Sequence, residues 1–307
     1  MPDKLQHLAP NLAFPALILA NLFLAAGPWM VRLADVGPVA AGFWRLALAL
    51  PLLAVLATWH RRGRGQQLPS WSLVAAVAVG GLFFAADLAA WHVGILQTKL
   101  ANATLFGNFA SFLFAIYGFV LLRRLPGRVP TIALLLAVFG TALLLGRSYE
   151  LSHENLVGDL FCLLAGLFYT FYLIAVDRAR RSLAAFPTLF IATAAGALPM
   201  LLFALALGET VLPTNWWPVV LLSVGSQLFG QSLLVFAMGH LSPMVTGLGL
   251  LTQPIAAAAI GWAVYGERLA TLDVMGALLV CAGLVLIRLP QKSPAERPLA
   301  TAPARDH

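Results

Sequence analysis

Ten stretches of this chain are each long and apolar enough to cross a lipid bilayer, and no other feature restricts the fold as strongly. A spanning helix needs about 20 mostly apolar residues. The segments run roughly over residues 12–34, 37–59, 71–95, 100–122, 129–146, 157–177, 186–207, 215–239, 242–265 and 272–289. Pro, Gly or charge marks the breaks, as at Gly37-Pro38, Arg61 to Gln67, Gln97 to Lys99 and His240 to Pro243. Composition agrees. Of 307 residues, 61% are hydrophobic and 10% charged, where a soluble domain carries about 25% charged residues.

The net charge of +7 does not point to nucleic acid, because the basic residues cluster in short loops. With the N-terminus in the cytoplasm, 14 Lys and Arg fall inside, among them Arg61, Arg123, Arg178 and Arg288. Only Arg32, Lys99, Arg147 and Arg268 fall outside, and Arg45 lies within a segment. That asymmetry predicts cytoplasmic termini and an even number of spans. Cys162 and Cys281 both sit in apolar runs, as buried thiols do. The polar start, MPDKLQHLAP, leads into a run too long for a signal peptide, so a retained first helix is expected. The tail, 291–307, is rich in Pro, Ala and charge and is expected to be a disordered cytoplasmic segment.

The chain also repeats itself. Gly94 and Gly239 lie 145 apart, as do Asn108 and Gln253. Gly140 precedes Gly283 by 143, and Leu50-Pro51 precedes Leu198-Pro199 by 148. Two repeats, 1–150 and 151–290, would each hold five spans, an odd number, so the second would be inverted. The fold class expected is therefore an all-α integral membrane protein of ten transmembrane helices in two inverted five-helix repeats. Such repeats put a substrate site at their interface near the midplane and permit alternating access.

The corner Leu241-Ser242-Pro243, the run Tyr265-Gly266-Glu267-Arg268-Leu269, and Gly276 with Gly283 resemble the drug/metabolite transporter superfamily, EamA-like branch, over residues 12–289. The first half departs from that pattern, with Leu122-Arg123-Arg124-Leu125 where an acid would stand. Trp91-His92, Arg32 and Gly37-Pro38 make the chain most similar to YddG-type amino-acid exporters. The resemblance implies a multi-pass protein of a bacterial-type inner membrane that exports small metabolites.

The densest polar stretch is Asp87 to Asn108, and ionisable groups inside a bilayer mark functional sites. Asp87 and Arg45 each lie ~12 Å below the outer end of neighbouring spans at ~1.5 Å per residue, which suggests either a buried structural ion pair or an Asp87 that meets a substrate ammonium or a proton. Trp91, at i+4 from Asp87, shares its face and could receive a cation, or anchor the interface. His92 lies roughly 140° round the helix from Asp87, which argues against a direct relay between them, and reads as a hydrogen-bonded residue near the outer mouth or as a substrate contact. Ser223, Gln227 and Gln231 form one stripe, which reads as cavity lining or helix–helix glue. Asn21, Asn108, Tyr169, Gln227 and Gln253, together with Asp87, Trp91 and His92, are the candidate substrate-binding set. The Gly276/Gly283 and Ala133/Gly140 faces read as packing surfaces between halves or subunits.

The function these features favour is a secondary transporter of amino acids or similar small metabolites, with efflux of other small amphiphiles as the alternative. No Walker motif is present. A membrane-embedded enzyme fits less well, since the chain has no Gly-x-Ser-x-Gly, no His-Glu-x-x-His and no close intramembrane carboxylate pair. No cofactor, metal or nucleic-acid partner is called for. The partners expected are an amino-acid-like small molecule and the bilayer, with a monomer and a homodimer both open.

Overall fold

A computed structural model describes residues 2–63, 68–98, 103, 106–122, 127–146, 154–265 and 270–288. The described residues form helices and no strand. In chain order these are α1 (Pro2–Ala25), α2 (Gly27–Leu33), α3 (Pro38–Ala47), α4 (Leu50–Gly63), α5 (Trp71–Ile95), α6 (Phe109–Leu122), α7 (Arg128–Gly146), α8 (Leu156–Ala179) and α9 (Ala185–Ala206). Then come α10 (Trp217–Leu222), a π-helical stretch (Ser223–Gln231), α11 (Ser232–Met238), α12 (Pro243–Leu250), α13 (Thr252–Tyr265) and α14 (Thr271–Arg288). The corner around Arg123-Arg124, Lys99, Arg147, the Gly266–Leu269 run and the tail 291–307 lie outside the described residues.

Seven helical stretches among the described residues are long and apolar enough to cross a membrane: Asn11–Leu33, Pro38–Gly63, Trp71–Ile95, Leu156–Ala179, Ala185–Ala206, Trp217–Met238 and Pro243–Val264. Three shorter apolar helices, Phe109–Leu121, Arg128–Leu143 and Thr271–Ile287, complete the set. Their outer surface is apolar. Val120, Phe139 and Leu198 are each more than 60% exposed, which water would not tolerate over so wide an area. Trp59 and Trp71, at the ends of α4 and α5, are more exposed still, as interfacial anchors are.

Local chemistry sets the helix starts. Ser70 accepts from the Leu73 amide and Ser242 from the Val245 amide, each capping a new helix. Pro28, Pro38, Pro218 and Pro243 stand in first turns, where the missing N–H is not needed. Gly208, with φ +69°, ends α9 in a left-handed conformation.

Small residues let the helices meet backbone to backbone. A Cβ on Gly81 of α5 would stand 2.1 Å from the Ala192 carbonyl of α9. On Gly140 of α7 it would stand 2.6 Å from the Gly276 carbonyl of α14, and on Gly283 of α14 it would stand 2.7 Å from the Ala133 carbonyl of α7. The two contacts are reciprocal, and the two helices run antiparallel. The small faces expected from the sequence thus pack against each other within one chain.

A clasp joins the segment before α3 to the segment after α9. Gly37 N–H donates to the Thr210 carbonyl at 3.0 Å, and Trp44 Nε1 to the Val211 carbonyl at 2.6 Å. Glu209 accepts from the amides of Val39 and Ala40, completing the N-terminus of α3. Asp35 accepts from the amides of Thr214 and Asn215 and from the Thr214 hydroxyl. That hydroxyl bond, with the two amides, holds the Asp35 carboxyl below its usual range.

Candidate functional site

The helices enclose one large cavity with about 1070 Å³ of empty space, part of it open. Its walls come from the α1–α2 junction, α3, α5, the turn before α6, α8, the π-helical stretch and the α12–α13 junction. Each of these contributes a polar or small residue in an apolar setting. Arg45, Asp87, Trp91, His92, Asn108, Ser111, Tyr169, Gln231 and Gln253 all face it.

The helix α5 supplies the longest strip. Phe84, Asp87, Leu88 and Trp91 lie three or four residues apart and so share one face. Phe84 is buried and stacks on Tyr172, with ring centroids 4.6 Å apart. Tyr169 stacks on Tyr172 at 5.7 Å, so the three rings form one aromatic wall. Trp91 closes the strip, its indole lying over the bare backbone of Gly107, where a Cβ would come within 3.3 Å of Nε1.

Arg45 is held from behind. Its Nε donates to Gln227 Oε1 at 3.2 Å, and the Gln227 amide nitrogen donates to Thr193 Oγ1 at 2.9 Å. Ser223 donates to the Arg45 carbonyl at 2.9 Å. The guanidinium then lies over the Phe84 ring, 5.4 Å from its centroid, a favourable cation–π distance. Its two terminal nitrogens make no hydrogen bond among the described residues. Asp87 likewise has no hydrogen bond and no ion pair within 4 Å among them, Arg45 included. The expected direct pair is therefore replaced by two charges facing one cavity.

The other expected residues separate into two groups. His92 is 3% exposed, packs against Gly42 of α3, and leaves Nδ1 without a hydrogen bond. Asn108 and Gln253, matched across the repeats by sequence, sit on the same cavity. Asn21 and Gln227 are fully buried and do not line it. The Asn21 side chain donates to the Gly249 carbonyl and to Thr252 Oγ1, both at 2.7 Å, and so ties α1 to α12 and α13. Gln227 serves Arg45 instead. Gln231, the last of its stripe, does reach the cavity, where Tyr172 donates to its Oε1 at 3.2 Å. Ser111 and Phe84 were not singled out from sequence. Phe84 was findable, since it lies one turn from Asp87 on the same face.

The π-helical stretch explains how one helix serves both purposes. Nine residues wound wider than an α-helix shift the side chains between successive turns. Ser223 and Gln227 meet α3 and α9, while Gln231 turns to the cavity.

No curated protein matches the chain. Among solved structures, one described only as "Crystal structure of protein" aligns with a TM-score of 0.75 at 18% identity. It covers 92% of this chain and 98% of its own, and so shares the fold. The first half lies outside the family match, where the Arg123-Arg124 corner departs from the pattern. Residues 156–289 match the model of the EamA-like transporter family.

Proposed function

We propose that the chain is a secondary transporter that exports amino acids, aromatic and other neutral ones, or similar small metabolites, by alternating access through the cavity. One observation carries the reading. In a bundle whose outside is apolar, residues from both halves of the sequence bring a guanidinium, a carboxylate and three amides to a single cavity, namely Arg45, Asp87, Asn108, Gln231 and Gln253. Polar groups at such depth need a polar occupant. The aromatic wall of Phe84 and Tyr169, with Trp91, offers apolar surface beside them, the mixture that small-molecule sites use. The likeness to amino-acid exporters at Trp91-His92 and Gly37-Pro38 points to the same substrate class.

The ten-span inverted arrangement belongs to this proposal. The reciprocal contacts of α7 and α14 support it, because residues 133 and 140 meet residues 283 and 276 about a local two-fold axis perpendicular to both helices. Such an axis lies in the membrane plane when both helices span. A bacterial-type inner membrane is the proposed location.

The test is counterflow. Purified protein in liposomes loaded with unlabelled amino acids is expected to accumulate labelled phenylalanine or leucine transiently, with no chemical change. Absence of exchange for every neutral amino acid, with amphiphilic amines exchanged instead, would replace this substrate class by the other.

A further inference from the structure

The geometry points to a bipolar ligand site in which Asp87 receives the substrate's α-ammonium and Arg45 its α-carboxylate, so that the transporter selects zwitterions. The inference rests on the transport function proposed above and names which charges of the substrate are read, and by which residue.

Three observations support it. First, both charged groups are prepared but unspent. Among the described residues Arg45 donates only from Nε, to Gln227. Its terminal fork, the part that binds a carboxylate through two parallel bonds, has no hydrogen bond among the described residues and faces the cavity. Asp87 uses neither oxygen within the described protein and faces the same space. Charges at this depth in a bundle need compensation. Two opposite charges that do not reach each other are compensated together by one molecule bearing both signs.

Second, the spacing suits such a molecule. Arg45 lies over Phe84, and Asp87 is three residues further along α5, an axial offset of about 4.5 Å at ~1.5 Å per residue. Both charged groups thus stand at neighbouring levels of one cavity, as the two ends of a small zwitterionic head group require. A side chain leaving that head group then meets Trp91, one turn beyond Asp87, or Tyr169 beside Phe84.

Third, Arg45 is fixed before any ligand arrives. Gln227 is anchored by Thr193, and Ser223 holds the Arg45 backbone. A guanidinium aimed in advance loses little freedom on binding, which favours recognition by geometry as well as by charge.

The experiment uses the full chain in liposomes and three probes: phenylalanine, its methyl ester with only the positive charge, and N-acetylphenylalanine with only the negative. In the wild type, the free amino acid should compete for counterflow about 10- to 100-fold better than either derivative, the range for a lost charge-assisted hydrogen bond. Asp87→Asn should erase the advantage of phenylalanine over N-acetylphenylalanine while keeping its advantage over the ester. Arg45→Gln should do the reverse. This crossed pattern is what a merely structural pair cannot produce. Equal loss for all three probes in each variant would overturn the inference. So would a wild type that exchanges all three alike, which needs no variant to fold and leaves the transport function standing. No exchange of any probe or other amino acid would overturn both.

Discussion

Replacing Gln227 with Leu tests how the cavity's guanidinium is held. Gln227 is fully buried and its amide is engaged at both ends, accepting from Arg45 Nε at 3.2 Å and donating to Thr193 Oγ1 at 2.9 Å. Leucine removes both bonds at similar volume. A bond to a charged group contributes about 1.5–3 kcal/mol and one between neutral groups about 0.5–1.5 kcal/mol. Their sum is about 2–4.5 kcal/mol, and the easier transfer of leucine into an apolar interior offsets part of it. A net loss of about 1–3 kcal/mol is expected, with insertion into the membrane retained. Because Arg45 loses its tether, apparent substrate affinity should fall as well. Thermal unfolding in lipid reads the first effect and counterflow the second. Adding Thr193→Val removes the hydroxyl that the first change strands, so the double variant should lose about 1 kcal/mol less than the sum of the single losses. Unchanged stability and affinity in Gln227→Leu, or strictly additive losses, would refute the tether.

Asn108→Leu and Gln253→Leu should each weaken apparent affinity in counterflow while leaving the melting temperature near that of the wild type; normal transport in both would remove these amides from the site. Gly81→Val should destabilise more than Gly225→Val, because a Cβ at Gly81 meets the Ala192 carbonyl at 2.1 Å while at Gly225 it meets only Phe23, at 4.0 Å, and overpacking costs about 1–3 kcal/mol; a thermal scan of the two checks it. A reporter fused after Lys292 should be cytoplasmic and one inserted near Leu151 external, as the loop charges require; an external C-terminal reporter would end the ten-span arrangement. Asp35 has a folded pKa below its unfolded one, so its share of stability is present above the unfolded value of about 3.9 and fades as pH falls through the lowered folded value; the acid limb of a melting-temperature profile should flatten in Asp35→Asn.

The helices themselves were readable, because membrane spans announce themselves by apolar length. Trp71–Ile95 matches its expected segment at both ends, and Leu156–Ala179 and Ala185–Ala206 match within two residues. Interruptions within spans were not readable. The breaks at Ala26, at Leu48-Ala49 and at Leu251 occur where hydropathy is unbroken, and nothing in side-chain polarity separates a π-turn from an α-turn. The site was half readable for a related reason. Depth along a span follows from counting, and it brought Arg45 and Asp87 to one level. Which way a residue faces depends on what stands across from it. Asn21 and Asn108 are the same residue type in similar runs, yet Asn21 is claimed by the Gly249 carbonyl, 228 residues away. Arg45 was drawn from Asp87 toward Gln227, 182 residues away, and over the Phe84 ring.

The seam between α7 and α14 has a consequence for ancestry. Each helix offers one glycine and, seven residues before it, one small residue with a carbonyl that receives the other's glycine. A surface of that kind is its own complement, as in an isologous contact between identical subunits. A polypeptide holding only the stretch up to the end of α7 would therefore carry the surface needed to meet an oppositely oriented copy of itself along this line. Duplication and fusion of such a gene would add no new interface there; it would only make permanent, and free to diverge, a handshake that two separate molecules could already perform.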